Sequence, residues 1–357
     1  MKKITIIINN LGIGGAERYV VDSINELLER NVHVELVTLL PEGRNTFLNE
    51  CNLPKTQQSL IHFKSLYSTV GFVRLIRLLR KQKPNTLITH LWFSNTIGRI
   101  AFIFSGIQKC ITFEHNVAFI KSKKQIFVDR VLQHVSYKIV AVSETVKQTL
   151  VDYGIKDENV KVVYVALNEG RFNPTKILRK DNKDDFVFLF VGSLTKQKNI
   201  QNIIRAFKKV HTGRLLIAGG GNEEEAVLHS LVDTLSLKER IEFLGIVTDI
   251  PSLMESADCL VFPSRWEGVG LVAVEALLSG VPVITTTAKY SATAEFVKNG
   301  YNGITIENPD DTTALTDAMN KIIDDDSLRE RLAINAPILL IDFSIEHNID
   351  QILSLCK

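Results

Sequence analysis

Pro263-Ser264-Arg265-Trp266-Glu267-Gly268-Val269-Gly270-Leu271-Val272-Ala273-Val274-Glu275-Ala276 is the stretch that decides how this chain is read. The run Asp258–Phe262 just before it reads as a strand, and the apolar run Leu271–Leu278 reads as a helix. A strand that feeds a helix N-terminus through Gly268 and Gly270 makes an anion site. Free backbone N–H groups point outward there and the helix dipole favours negative charge. Glu267 precedes that N-terminus, and Glu275 lies in the helix eight residues on. Carboxylates repel a phosphate but accept hydrogen bonds from hydroxyls beside it. An anion site flanked by two hydroxyl acceptors suits a sugar nucleotide. Taken alone, the pair has a plainer reading. Carboxylates near a helix start are common dipole partners, and a Glu two turns on often lies on a solvated face.

Outward from this stretch, short β-branched runs alternate with helical ones. Ile4–Ile8, Val34–Leu39, Thr86–Thr89, Cys110–Phe113 and Lys138–Val142 read as strands, with helices such as Ala16–Arg30 and Gly71–Lys81 between them. This is the βαβ pattern of a parallel, doubly wound sheet. A polar segment, Arg171–Asp185, with Pro174 and a charge run interrupts it and reads as a linker. A second series follows: Phe186–Val191, Leu215–Ala218, Ile241–Phe243, Cys259–Phe262 and Pro282–Thr285. A length of 357 residues fits two such domains. With 45% hydrophobic and 23% charged residues, the composition is that of a globular protein with a real core.

Three further sites stand out, each with a plain alternative. Asn10–Arg18 carries glycines at 12, 14 and 15, which spoils a dinucleotide G-x-G-x-x-G and leaves a helix-entry turn open. His115 ends a strand, where a lone His is commonly structural. Lys198 closes the loop after the first strand of the second half, where it could be solvated. Asp324-Asp325-Asp326 offers a D-x-D metal site only superficially, since it follows a helix and lacks a phosphate loop. No G-x-S-x-G nucleophile turn occurs.

The string P-S-x-x-E-G-x-G-L-x-x-x-E-A over 263–276 resembles the E-x7-E region of the retaining GT-B glycosyltransferases of family 4, the glycosyl transferases of group 1. The likeness runs over nearly the whole chain. Asn10–Arg18 looks like the family's first strand-to-helix loop, G-G-A-E-R, which borders donor phosphate and acceptor. Thr112–Asn116 matches T-x-H-N, whose His lies beside the donor sugar. Ile139–Glu144 matches the strand and helix cap before the linker, and Ser143 reads independently as an N-cap. Val191–Asn199 resembles G-R-L-x-x-x-K-G/N, whose Arg and Lys hold the nucleotide diphosphate. Here Lys198 keeps the Lys, while Ser193 stands in the Arg position. Lys196, Arg265 or the Ser193 hydroxyl could assist. Ala218–Asn222 corresponds to a turn near the nucleoside, and Phe243–Ile250 to the loop that reads the base.

The resemblance implies an α/β GT-B fold, two Rossmann-like domains facing across a cleft. Residues 1–172 would form the acceptor-side domain, 173–185 the linker and 186–342 the nucleotide-sugar domain, with a C-terminal helix near 343–357 packing back on the first. It implies catalytic roles for His115, Glu267 and Lys198. Donor binding would fall to Gly14, Gly15, Ser193, Lys198, Gly219, Ile246, Arg265, Glu267, Gly268, Val269, Gly270, Leu271 and Glu275. Glu267 would meet the sugar hydroxyls and Glu275 the ribose. The implied reaction is that of a hexosyl- or N-acetylhexosaminyltransferase that takes a UDP-sugar. No metal or cofactor is implied, the nucleotide sugar being a co-substrate. The acceptor would be a lipid-linked saccharide of bacterial surface polysaccharide or glycan synthesis. Two alternatives stay open: a sugar-nucleotide epimerase of the same architecture, and a non-catalytic nucleotide or nucleic-acid binder.

The net charge of +2 hides an asymmetry. Residues 1–175 hold 23 basic and 14 acidic side chains, whereas 51–130 alone hold 13 and two. Such a half suits an acidic partner. It lacks the interleaved aromatics of a nucleic-acid reader, so nucleic acid is not expected. Phe72–Lys81 places apolar residues at 72, 75, 76 and 79 and basic ones at 74, 77, 80 and 81, an amphipathic helix with a cationic face. With Lys121, Lys123 and Lys124 it suggests an anionic membrane surface, although an ordinary solvated helix reads equally well. Four scattered cysteines favour a reducing compartment, and no 18-residue apolar span occurs. The expected location is cytoplasmic, peripheral at the inner face of the cell membrane.

Overall fold

The structure, a computed structural model, describes residues 3–43, 45–172, 186–221, 224–337 and 343–357. The expected linker, 173–185, lies outside the described residues. The chain divides into two compact units, Met1–Asn168 with Asp342–Lys357, and Glu169–Ile341.

The first unit is built on seven strands: β1 (Lys3–Ile8), β2 (His33–Thr38), β3 (Gln58–Leu60), β4 (Thr86–His90), β5 (Lys109–Glu114), β6 (Lys138–Ala141) and β7 (Val160–Val162). They pair in parallel in the order β3-β2-β1-β4-β5-β6-β7. Parallel strands are covered by helices on both faces, so β1 reads Lys-Ile-Thr-Ile-Ile-Ile and is buried along almost its whole length. Residues Gly15–Glu29 and Ile345–Leu355 form two helices that pack together. The Arg30 guanidinium pairs with Asp350 and donates to the Glu346 carbonyl at 2.9 Å. Ser143 caps the helix Glu144–Asp152, its Oγ accepting from the Val146 N–H at 3.1 Å.

The second unit holds β8 (Val187–Val191), β9 (Arg214–Ala218), β10 (Ile241–Gly245), β11 (Cys259–Phe262), β12 (Val283–Thr286) and β13 (Gly303–Ile306). Their order is β10-β9-β8-β11-β12-β13, again all parallel. Each unit is therefore Rossmann-like, as the sequence implies. The strand order reverses between β1 and β4 in one unit and between β8 and β11 in the other. In open α/β sheets, ligands bind beyond the carboxyl ends of the strands at such a reversal. Three strands escaped the sequence reading: β3, β7 and β13. Each has three or four residues and lies at a sheet edge, too short to show a period.

One expectation about charge is corrected. Lys121, read as part of a membrane-facing surface, is buried. Its ammonium lies 2.7 Å from Glu114 and 2.8 Å from Asp129, and Arg99 meets the other Asp129 oxygen at 2.6 Å. All four side chains are under 8% exposed. Asn95 completes the network by donating to Glu114 at 3.3 Å. Burial works against the Lys121 ammonium, but the two carboxylates outweigh it and hold its pKa above the usual lysine value. Two basic side chains of this half are thus internal, and the two acidic side chains of 51–130 are internal with them, so the net excess of that stretch is unchanged. The network ties the end of β5 to the helix Lys123–Leu132. Lys121→Met should lower unfolding stability by about 3 kcal/mol, because removing one partner of a buried set leaves carboxylate charge uncompensated. Denaturant unfolding measures this; an unchanged midpoint would mean the network is not holding charge in the folded protein.

Candidate active site

Two loops meet at the strand reversal of the second unit. The chain leaves β8 through Gly192 and runs to a short helical turn, Lys196–Lys198. It leaves β11 through Pro263 to Gly270 and enters the helix Leu271–Leu278. The Arg265 N–H donates to the Gln197 carbonyl at 2.9 Å, and the Gln197 amide donates to the Trp266 carbonyl at 2.8 Å. This stitching brings Lys198 against Glu267. The ammonium is 2.6 Å from Oε1, with side chains 15% and 7% exposed. The Gln197 amide donates to the same oxygen at 3.4 Å, and the ammonium lies 4.6 Å from the centre of the Phe262 ring. Glu267 is fixed by its own backbone: its N–H donates to the Tyr290 carbonyl and its carbonyl accepts from the Ala292 N–H.

The helix behind this pair starts without a side-chain cap. Its N-cap, Gly270, has φ of 77°, and a Cβ there would lie 2.7 Å from Thr293. Among the described residues, the N–H groups of Val269, Gly270 and Leu271 have no hydrogen-bond partner. Gly268 precedes them in the same loop. These donors sit at the positive end of the helix dipole, which makes the place electrostatically ready for an anion. Glu275 is buried on the same helix. Gly219 closes the other side of the Gly192 loop. A Cβ on it would meet the Gly192 carbonyl oxygen at 1.8 Å, so only glycine permits this approach of β8 and β9 loops.

The remaining expected donor residues are placed as follows. Ser193 is exposed on the β8 loop. Ile246 is 52% exposed beside Gly220. Arg265 is expected to help neutralise a diphosphate, but its guanidinium is already engaged. Nη2 lies 2.6 Å and Nε 3.1 Å from Asp310, and Nη1 donates to the Lys196 carbonyl. Those bonds hold the Lys196–Lys198 turn in place and leave Lys198 as the nearer charge. Asp310, 45 residues away, carries no sequence signal that links it to Arg265.

In the first unit, Gly14 is the N-cap of the helix Gly15–Glu29, with Gly15 its first residue. Burial raises the pKa of Glu17 in the same turn. His115 follows β5, and the structure adds a residue missed in the sequence, His90 at the end of β4. Nδ1 of His90 lies 2.9 Å from Nε2 of His115. His90 stacks on Phe113 with ring centres 4.6 Å apart, and Tyr19 stands 6.0 Å from His90 and 5.9 Å from His115. Tyr19 is anchored by the C-terminal helix, its hydroxyl donating to Asn348 at 3.0 Å. Desolvation pushes His115 down to about 3, and burial followed by the neighbouring His115 holds His90 well below its usual value. Both imidazoles are neutral at physiological pH. His90 sits at the strand reversal, a positional signal that becomes visible only once the strand order is known.

Asp325 accepts the Leu328 N–H at 2.8 Å as the N-cap of the helix Asp326–Asn335, which explains the aspartate triplet. Among the described residues, no group of three or more His, Cys, Asp or Glu side chains is placed to hold a metal.

Comparison with known proteins gives this geometry a family. The family described as Glycosyltransferase Family 4 matches residues 13–171, and that described as Glycosyl transferases group 1 matches 175–338. An uncharacterized glycosyltransferase of Methanocaldococcus jannaschii is 30% identical over 346 residues, 87% of this chain and 86% of the relative. A Campylobacter jejuni enzyme is 27% identical over 366 residues, 99% of this chain and 98% of its own. It is named as the GalNAc-alpha-(1->4)-GalNAc-alpha-(1->3)-diNAcBac-PP-undecaprenol alpha-1,4-N-acetyl-D-galactosaminyltransferase. Among solved structures, Anabaena HepE in complex with UDP and glucose superposes with a TM-score of 0.88 at 21% identity, covering 99% of both chains. These matches decide between a transferase and the epimerase and binder alternatives: the chain belongs to the GT-B glycosyltransferases of family 4.

Proposed function

We propose that this glycosyltransferase moves a hexose or N-acetylhexosamine from a UDP-sugar, with retention of anomeric configuration, to a hydroxyl of a lipid-linked saccharide. The observation that carries the reading is the Lys198–Glu267 pair beside an uncapped helix N-terminus at the β8–β11 reversal. A cation and free N–H groups stabilise the charge of a departing diphosphate, and a carboxylate fixed by its backbone orients sugar hydroxyls. Glu275 serves the ribose. No metal is needed in this scheme, because Lys198 and the N–H groups of Val269 to Leu271 meet the diphosphate. The UDP donor is supported by the complex of the Anabaena structural neighbour, and the lipid-linked acceptor by the undecaprenol-linked substrate in the Campylobacter relative's name.

His115 lines the sugar pocket in this reading and acts as a neutral hydrogen-bonding group. Because its pKa lies at about 3, lowering the pH from 8 to 5 leaves it unprotonated.

We also propose that the enzyme works on the cytoplasmic face of an anionic membrane. Arg74, Arg77, Arg80 and Lys81 are exposed on the helix Thr69–Gln82, whose Leu75 and Leu79 are buried. Lys123 and Lys124 are exposed on the helix Lys123–Leu132, together with Phe127 at 67% and Val131 at 54%. Cations beside exposed apolar side chains suit a lipid headgroup layer. Among the described residues, no helix is long and apolar enough to cross a membrane.

Four outcomes are expected. Glu267→Ala and Glu275→Ala should each weaken transfer by roughly 2–4 kcal/mol of transition-state stabilisation with the fold retained; near-normal turnover in both would remove the donor assignment. NMR of the product should show the anomeric configuration of the donor, and a rate profile between pH 5 and 8 should lack a limb that disappears in His115→Ala. The protein should bind anionic vesicles and be released by salt, each cation near the leaflet contributing about 1 kcal/mol. Equal binding to neutral vesicles, or binding unchanged in an Arg77→Glu, Phe127→Ser variant, would remove the surface-docking reading.

A further inference from the structure

The two neutral imidazoles in the first unit share one hydrogen bond, and that bond couples their tautomers. If His90 donates from Nδ1, the bare nitrogen of His115 is Nε2, and the His115 proton must sit on Nδ1. If His115 donates from Nε2, His90 carries its own proton on Nε2. Both rings therefore hold the same tautomer. His90 is 3% exposed, whereas His115 is only partly buried as a residue. The tautomer of His90 thus dictates whether His115 offers a donor or an acceptor at Nδ1. The surroundings leave His90 little freedom. Its ring stacks on Phe113 and is edged by Tyr19, whose hydroxyl is held by Asn348, itself 1% exposed and donating to the Tyr164 carbonyl at 2.5 Å. The next residue, Leu91, has φ of 68° and ψ of 145°, a backbone region nearly reserved for glycine. Strain of this kind persists where surrounding structure fixes a functional group.

We propose that His90 is a positioning residue that locks His115 in one neutral tautomer and one ring orientation for glycosyl transfer. This rests on the reading that His115 faces the donor sugar. The test is nitrogen NMR of the full chain labelled at histidine, with the His115 signals assigned by His115→Asn. In the unsubstituted protein, His115 should show one protonated and one bare nitrogen. In His90→Phe its two nitrogens should shift towards a common averaged value. In the same variant kcat should fall about 10-fold or more, the scale seen when an outer partner of a functional imidazole is removed, with the donor KM within about twofold. His90→Asn keeps a polar atom near the Nδ1 position and should restore part of kcat; it also serves should the Phe variant fail to fold. Averaged His115 nitrogens in the unsubstituted protein, or unchanged signals and kcat in both folded variants, would overturn the proposal. Full activity of His115→Ala would instead overturn the reading of His115, leaving the NMR result separately interpretable.

Discussion

A 2.6 Å contact between the Lys198 ammonium and the Glu267 carboxylate orders the second unit's functional end. It exists because two loops, one from β8 and one from β11, leave adjacent strands in the same direction at the place where the strand order reverses. Gln197, Arg265 and Asp310 fasten the first loop, and the backbone of Tyr290 to Ala292 fastens the second. The pair is mostly shielded from water, so its mutual attraction is stronger than at a surface and its loss would strand a charge. Neither group is idle when the other is engaged. In the proposed donor site, a diphosphate that draws on Lys198 would lower the hold on Glu267 and free it for hydroxyls. In that reading, Ser193 in place of a second cation would concentrate the demand on Lys198.

The first unit applies the same principle differently. Its formal charge suggests a broad cationic surface, but Lys121 and Arg99 are turned inward and neutralised by Glu114 and Asp129. The net positive charge of 51–130 is unchanged by this, since both of its carboxylates are used up inside, and exposed Phe127 and Val131 lie on the helix that carries Lys123 and Lys124. At the strand reversal this unit presents uncharged imidazoles instead of an ion pair.

Much of this was legible in the sequence, for physical reasons. Parallel strands buried on both faces read as continuous apolar runs, so β1, β4 and β11 could be placed within a residue or so. The turn Gly268–Gly270 before Leu271 announces an uncapped helix, and Glu267 and Lys198 stand in motif positions. What stayed hidden depends on contacts between distant residues. The link from Arg265 to Asp310 spans 45 residues, that from His90 to His115 spans 25, and that from Tyr19 to Asn348 spans 329. No local period records such partners. Lys121 looks in sequence like its neighbours Lys123 and Lys124, and only the positions of Glu114 and Asp129 tell them apart.

The central claim is that Lys198 and Glu267 form the donor's charge site. Calorimetric titration of UDP into the unsubstituted protein, Lys198→Met and Glu267→Gln tests it most directly. The account predicts that Lys198→Met loses UDP binding at least 10-fold, since it removes a charge-assisted contact worth about 1.5–3 kcal/mol. Glu267→Gln should hold UDP as tightly as the unsubstituted protein or more so, because its carboxylate no longer competes for the ammonium. Equal UDP affinity in Lys198→Met and the unsubstituted protein would contradict the account.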